Sequence, residues 1–393
     1  RLNYICARMP NFNNSLSSKL PKIGTSIFTV MSSLANEEGA LNMSQGFPDF
    51  DVDPKLIELV TKNMQKGNNQ YAPMQGALRL REALSHKIDK AYGVKYSPDS
   101  EITITAGATQ AIFTAISAFV KEDDEVIIFT PAYDCYQPAI ELNGGKPVFI
   151  QLHAPNYKID WEKVKKVMSR KTKMIIINTP HNPSGTMLTK EDLMELDKIT
   201  AGSEIIILSD EVYEHIVFDG KEHESICKYP GLIDRSIATY SFGKTFHVTG
   251  WKMGYCIGPK NLMHEFRKVH QFNVFSCNHP FQIAIAEYLE DENNYNKLGS
   301  FYQKKRDLFL DAVSTSRFEP ITCEGTYFQL LKYDQITDEK DVDFAIRLTK
   351  EFGLASIPVS VFYHIPLDEK VLRFCFAKGE ETLQRAGEIL AKV

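Results

Sequence analysis

Between about Asp53 and Asp210 the chain alternates short β-branched runs with segments of helical period. The runs are EITIT (101–105), EVIIF (125–129), PVFIQ (147–151), KMIIIN (173–178) and EIIILSD (204–210). Most carry no apolar/polar alternation, so they read as strands buried on both faces. Between them lie helical patterns: GALRLREALSHKIDKAYG, TQAIFTAISAFV, DCYQPAIEL, a helix opening at Asp160, and TKEDLMELDKITA. Asp53-Pro54 and Gly67 bracket an earlier helix with the usual cap asymmetry, and Thr189 caps another, with an acidic residue three positions later. This alternation predicts an α/β fold with a mostly parallel sheet between helical layers. Ligands of such sheets sit beyond the carboxyl ends of the strands. The residues to examine are therefore 107–109, 131–133, 178–182, 210–213 and 241–244.

After about residue 289 the pattern changes. EDENNYNKL is polar; a long helix through FYQKKRDLFLDAV, the strand-like TYFQLLKYD and VLRFCFA, and helices near DVDFAIRLTKEF and ETLQRAGEILAKV follow. This reads as a smaller α+β lobe. At 393 residues the chain is long enough for two lobes to enclose a cleft. A net charge of −5 with scattered basic residues gives no reason to expect nucleic acid or an anionic membrane as partner. The seven cysteines, Cys6, Cys135, Cys227, Cys256, Cys277, Cys323 and Cys375, include no C-x-x-C pair. Neither a disulfide framework nor a zinc site is expected, and a reducing, cytoplasmic setting fits better. The histidines form no metal pattern; His215 and His223 read as residues of a polar turn. No apolar run reaches the length of a membrane span. RLNYICAR lacks the apolar core of a signal peptide, and Met9 is a candidate start, so residues 1–8 are set aside.

Gly243-Lys244-Thr245 resembles the tail of a phosphate-binding nucleotide loop, but Ala238 stands where the first glycine is needed. Gly250 and Gly254 interrupt the helix that should follow, and the strand ending in Asp210 lies upstream rather than downstream. The alternative is that Lys244 forms a Schiff base with an aldehyde cofactor. Pyridoxal phosphate makes three further demands, and the strand ends supply each. Ala108 and Thr109 start a helix whose N–H groups suit a phosphate, with Ser241 adding a hydroxyl and Lys252 a cation. Tyr133 is placed to stack on a ring. Asp210 can meet a pyridine nitrogen, and Asn182 and Tyr213 the ring hydroxyl. Taken singly each residue has a bland reading: turn, cap, solvated charge, edge-strand ion pair or core aromatic. The case rests on their joint occurrence.

NTPHNPSGT, LSDEVYEHIVFDG and SFGKTFHVTGWKMGY, with SQGFPDF, QYAPMQGALRLREAL, TAGATQAIF, CEGTYF and LRFCFAK, resemble the class I/II, fold-type I, pyridoxal-phosphate-dependent aminotransferases from about Pro21 to the C-terminus. Within that family the resemblance is strongest to the methionine aminotransferases and their kynurenine aminotransferase (glutamine transaminase K) relatives. It implies a large cofactor-binding domain over 50–289 and a small domain built from 9–49 and 290–393. It makes Lys244 the Schiff-base lysine, Asp210 the pyridinium partner, and Asn182 and Tyr213 the ring-oxygen partners. Ala108, Thr109, Ser241 and Lys252 become the phosphate cup. Tyr71 would reach the phosphate from a second subunit, which implies a homodimer. Arg373 would clamp the substrate α-carboxylate, and Gly46 would contact it through the backbone. The chain has Lys252 where aspartate aminotransferases have an arginine, and Gly107-Ala108-Thr109 where some relatives carry Ser-Gly-Thr or Gly-Gly-Tyr.

Relatives that take dicarboxylates bring a second arginine near the stretch matching HQFNVFSCNHP; Phe272 and Phe275 stand there instead. With Phe47 and Tyr133 they imply a neutral, aromatic pocket for methionine, aromatic amino acids, glutamine or kynurenine. Two rivals remain at this stage: a carbon–sulfur lyase or decarboxylase on the same scaffold, and a non-catalytic sensing module, against which the acidic charge balance speaks.

Overall fold

The computed structural model describes residues 11–12 and 14–393. Cys6, Met9 and the segment 1–8 set aside above lie outside the described residues. After the helix Ile27–Glu37, capped by Ser26, strand β1 (Leu41–Asn42) follows. Seven strands then form the main sheet: β2 (Ile102–Thr105), β3 (Glu125–Thr130), β4 (Lys146–Gln151), β5 (Thr172–Asn178), β6 (Ile206–Asp210), β7 (Ser236–Ser241) and β8 (Gly254–Ile257). Their order is β2-β8-β7-β6-β5-β3-β4. All neighbours are parallel except β8, which runs antiparallel to both β2 and β7.

The apolar runs enter this sheet because alternate residues feed two different cores. Ile127, Ile175 and Ile207 join one cluster, with Leu80, Leu84 and Ile88 of the helix Leu78–Tyr92. Val126, Ile128, Met174, Ile176 and Leu208 join another, with Ile112 and Ile116 of the helix Ala108–Phe119. Each such buried side chain contributes about 1.5–3 kcal/mol, which is why runs without alternation were the strongest signal. Strand β8 was not read from the sequence, because Gly250 and Gly254 looked like breakers. Gly254 is needed there: a Cβ on it would lie 2.6 Å from the Tyr240 carbonyl oxygen and 3.0 Å from the Ala108 nitrogen.

The remaining strands are β9 (Glu319–Pro320), β10 (Phe328–Lys332), β11 (Leu354–Ala355), β12 (Ile357–Pro358) and β13 (Val371–Cys375). Four form an antiparallel sheet in the order β12-β13-β10-β9, while β1 pairs in parallel with β11. The segment before residue 50 is thereby joined to the C-terminal region, in a core that holds Met31, Met43, Phe344, Leu348, Phe374 and Leu383. The helices Leu298–Val313 and Glu380–Leu390 cross closely at Gly387, where a Cβ would meet Ala312 Cβ at 2.5 Å. Among the described residues no helix is long and apolar enough to cross a membrane.

Candidate active site

One cavity opens at the carboxyl ends of the parallel strands, against the four-stranded sheet. Ala108 and Thr109 enter it from the turn after β2, and Tyr133 from the loop after β3. Asn182 follows β5, while Asp210 and Tyr213 come from the end of β6. Ser241 closes β7, Lys244 rides the single helical turn Phe242–Thr245, and Lys252 precedes β8. Gly46 and Arg373 reach it from the other side. Eleven of the residues expected from the sequence thus face one space.

Lys244 donates to the Gly46 carbonyl at 3.1 Å and contacts the Tyr327 hydroxyl at 2.8 Å. Burial pulls its ammonium down to about 8, because a charged group loses hydration there. Asp210 accepts from the Tyr136 hydroxyl at 2.5 Å. Burial pushes its carboxyl up to about 6, with the Tyr136 hydrogen bond opposing the rise. Arg373 donates to Asn182 Oδ1 at 2.8 Å and to the Ser44 carbonyl at 3.2 Å. Its guanidinium lies 3.9 Å from the centroid of the Phe328 ring, and its buried Nε has no partner. Burial lowers it to about 10. It occupies β13, between β12 and β10, not a sheet edge as its bland reading would have it.

A phosphate-sized anion fits the turn after β2. The helix Ala108–Phe119 has Gly107 at its N-cap and no side-chain cap, so its first amides remain available. Gly107 has φ +79°, and a Cβ there would sit 3.4 Å from Lys252 Nζ. Lys252 itself adopts φ +52°, an uncommon conformation for a side-chain-bearing residue that aims its amine back at this turn. Thr109 Oγ1 and the Tyr133 hydroxyl are 3.2 Å apart. Behind them, Asn178 accepts from the Asn182 N–H at 2.8 Å and donates to the Asp210 carbonyl at 2.9 Å, tying two strand ends together.

Four expected residues, Phe47, Tyr71, Phe272 and the half-exposed Phe275, do not line this cavity in the single chain. Phe47 is half-exposed under Lys378. Tyr71 is 82% exposed and meets Phe275 edge to face, at 5.5 Å between ring centroids. Phe272 is 85% exposed, which also removes its bland reading as a core residue. His215 sits in a turn as expected, though only 14% of its side chain is exposed; His223 needs correction, being buried outside any turn and bonded to Glu211 at 2.9 Å. Their neighbours are polar in sequence, but burial is decided by the fold. Among the described residues no group of three His, Cys, Asp or Glu side chains is placed to hold a metal ion.

Sequence reasoning missed Phe28, Gln45, Tyr136 and Tyr327. Tyr327 belongs to the quoted CEGTYF motif, so its position was visible though its role was not. Tyr136 was read only as part of a helix. Phe28 lies on the helix Ile27–Glu37, which was not read from the sequence, and Gln45 belongs to the quoted SQGFPDF motif without a role having been given to it.

Comparison with known proteins decides the family. Residues 38–390 match the family described as aminotransferase class I and II. The chain belongs to that family. It is 47% identical over 384 residues to a methionine aminotransferase of Escherichia coli, covering 97% of this chain and all of that one. A kynurenine–oxoglutarate transaminase of Dictyostelium discoideum is 35% identical, covering 98% of each chain. Among solved structures, one of E. coli origin described as having a methionine aminotransferase function superposes with a TM-score of 0.95, at 47% identity over 97% of this chain and 100% of its own. The N-succinyldiaminopimelate aminotransferase of Mycobacterium tuberculosis gives 0.92, at 32% identity over 96% of this chain and 100% of its own. The chain is an aminotransferase of the fold-type I architecture.

Proposed function

We propose that this aminotransferase takes the amino group of a neutral L-amino acid, methionine foremost, and passes it to a 2-oxo acid, with pyridoxal phosphate as cofactor. The observation that carries the reading is Lys244: a part-buried amine pulled down to about 8, held by two oxygens and no carboxylate, at the strand end beside Asp210. When bound, pyridoxal phosphate supplies an aldehyde for covalent attachment and a ring that takes up electrons from the substrate Cα.

The chain's residues divide the remaining work. Lys244 tethers the cofactor and, once released, moves the proton at the substrate Cα; an amine titrating near 8 is a competent base at neutral pH. Asp210 is an anion above about pH 6, deep in the protein, and calls for a cationic N–H to offset its burial. A protonated pyridine nitrogen is such a group. Tyr133 stacks, Asn182 and Tyr213 bond the ring oxygen, and Ala108, Thr109, Ser241 and Lys252 hold the phosphate. Arg373, with its free Nε and its grip on Asn182, receives the α-carboxylate. Gly46 adds backbone contact.

Among the described lining residues the cations are Lys244, Lys252 and Arg373, and each already has a role. None is spare for a second carboxylate. Phe28, Ile112, Val212, Met253 and Phe328 add an apolar wall beside the uncharged Gln45, Asn178 and Thr249, which suits a thioether or aromatic side chain. Phe47 and Phe275 complete it at the rim. Tyr71 acts from a second copy of the chain in a homodimer, which accords with its exposure here. The division at 50–289 against the two flanking segments is supported by the two sheets, the seven-stranded one lying within 50–289 and the four-stranded one after it. The expected compartment is the cytoplasm.

The test mixes cofactor-loaded protein with methionine and a 2-oxo acid, then with a panel of amino donors. The expected result is one new amino acid per methionine consumed, with parallel double-reciprocal lines from a two-half-reaction cycle. Release of ammonia or thiol would make it a lyase instead. Faster turnover of aspartate than of methionine would overturn the neutral pocket.

A further inference from the structure

A neutral amine has two N–H bonds to give and one lone pair to use. At Lys244 both N–H bonds have acceptors, the Gly46 carbonyl at 3.1 Å and the Tyr327 oxygen at 2.8 Å. The Tyr327 hydroxyl has one proton, and it is spent: it donates to the same Gly46 carbonyl at 2.5 Å. The phenol oxygen therefore faces Lys244 as an acceptor. The three atoms close a triangle; above about pH 8, where Lys244 is a neutral amine giving both N–H bonds to these oxygens, its lone pair is the part left for the cavity.

Both acceptors are fixed. Tyr327 is buried against Tyr213, Tyr302 and Phe328, with ring centroids 5.2, 5.6 and 5.0 Å away. Burial holds its phenol well above the usual range, so it keeps its proton. Gly46 has no room for a side chain, since a Cβ would lie 2.9 Å from Phe328 Cζ. The carbonyl is thus locked over Lys244 by the ring adjoining Tyr327.

We propose that Tyr327 is a positioning residue for the proton transfer: with the Gly46 carbonyl it forms a saddle that orients the free Lys244 amine, lone pair toward the substrate Cα. This rests on the reading of Lys244 as the base. An amine left to rotate would present its lone pair in a fraction of encounters, and misorientation of a reacting group is costly.

Tyr327→Phe removes the acceptor and keeps the ring. In the cofactor-free protein, acetylation of Lys244 across pH, followed by peptide mapping, reads the amine directly. The ammonium gains more from an acceptor than the amine does, so the midpoint of reactivity falls by about half a unit or more. A midpoint that stays put or rises overturns the saddle, a rise meaning that Tyr327 donates to Lys244. In the loaded enzyme, wash-in of solvent deuterium at methionine Cα falls about ten-fold while the methionine dissociation constant holds within about two-fold. Unchanged wash-in, or a dissociation constant that weakens in step, also overturns it. Lys244→Ala run alongside separates the two claims. If it still exchanges the Cα proton, the base assignment itself fails; if it is dead and Tyr327→Phe is not, only the saddle fails.

Discussion

The segment 210–215 shows two faces of one loop. Glu211 and Glu214 turn into the protein and find every partner they need. Glu214 accepts from Lys87 at 2.6 Å and from the Tyr92 hydroxyl at 2.5 Å. Glu211 accepts from Ser209 at 2.8 Å, the Ile226 N–H at 3.0 Å and the Tyr240 hydroxyl at 3.3 Å, and pairs with His223. Asp210 and Tyr213 turn into the cavity, where Asp210 has one short hydrogen bond and a 3.4 Å contact from the Val212 N–H. The electrostatic outcome is opposite. Burial pushes the Glu214 carboxyl up, but Lys87 and His215 outweigh it and hold it well below the usual carboxylate range. Burial of Asp210 is not repaid, and its carboxyl rises to about 6. A buried charge saturated by partners is framework; one left short of them is a place where a ligand belongs.

The framework side breaks first under substitution. Glu214→Ala strands the Lys87 ammonium among Tyr240, Tyr255 and Tyr295, and is expected to cost about 3–5 kcal/mol of stability. Turnover per folded molecule should hold within about two-fold. Denaturant unfolding of the loaded enzyme, with an active-site titration, checks both. Lost turnover at full stability would erase the distinction between the two faces.

On the cavity side the sign reverses. Lys244 falls from 10.5 to about 8 on folding, equivalent to roughly 3 kcal/mol held against the cofactor-free protein. Water in the open cavity and the two lost hydrogen bonds reduce this to about 2 kcal/mol. Lys244→Met should therefore stabilise the cofactor-free protein by about 2 kcal/mol at pH 7 while abolishing turnover. Between pH 8 and 10.5 the unfolded wild-type chain still binds the proton that the folded one has released. Wild-type stability from this group thus climbs through that window, and the advantage of the variant shrinks to nothing by its upper end. Urea unfolding at pH 7, 8.5 and 10 reads the trend. A variant less stable at pH 7 would show that Lys244 belongs with the framework.

How much of this was legible follows the same division. The runs at 125–129, 173–178 and 204–210 announced their strands because burial on both faces leaves no alternation to confuse. Asn182, Asp210 and Lys244, which share the cavity, were singled out because strand ends in such sheets gather ligands and their chemistry is distinct. Strand β8 was missed because close packing against Tyr240 demands the glycine that otherwise signals a break. His223 was misjudged because its burial comes from Glu211, twelve residues away, and from a helix still further off. The role of Tyr327 lay outside reach for the reason that of Lys87 did: a side chain 83 or 127 residues from its partner leaves no local mark.

The central claim is that Lys244 is the covalent anchor of pyridoxal phosphate. Borohydride reduction of the protein loaded with pyridoxal phosphate, followed by peptide mapping, tests it most directly. The account predicts a single stable pyridoxyl label on the peptide spanning 241–254, at Lys244, with loss of transamination. A label on Lys252 or elsewhere, or a protein that takes up no cofactor, would contradict it.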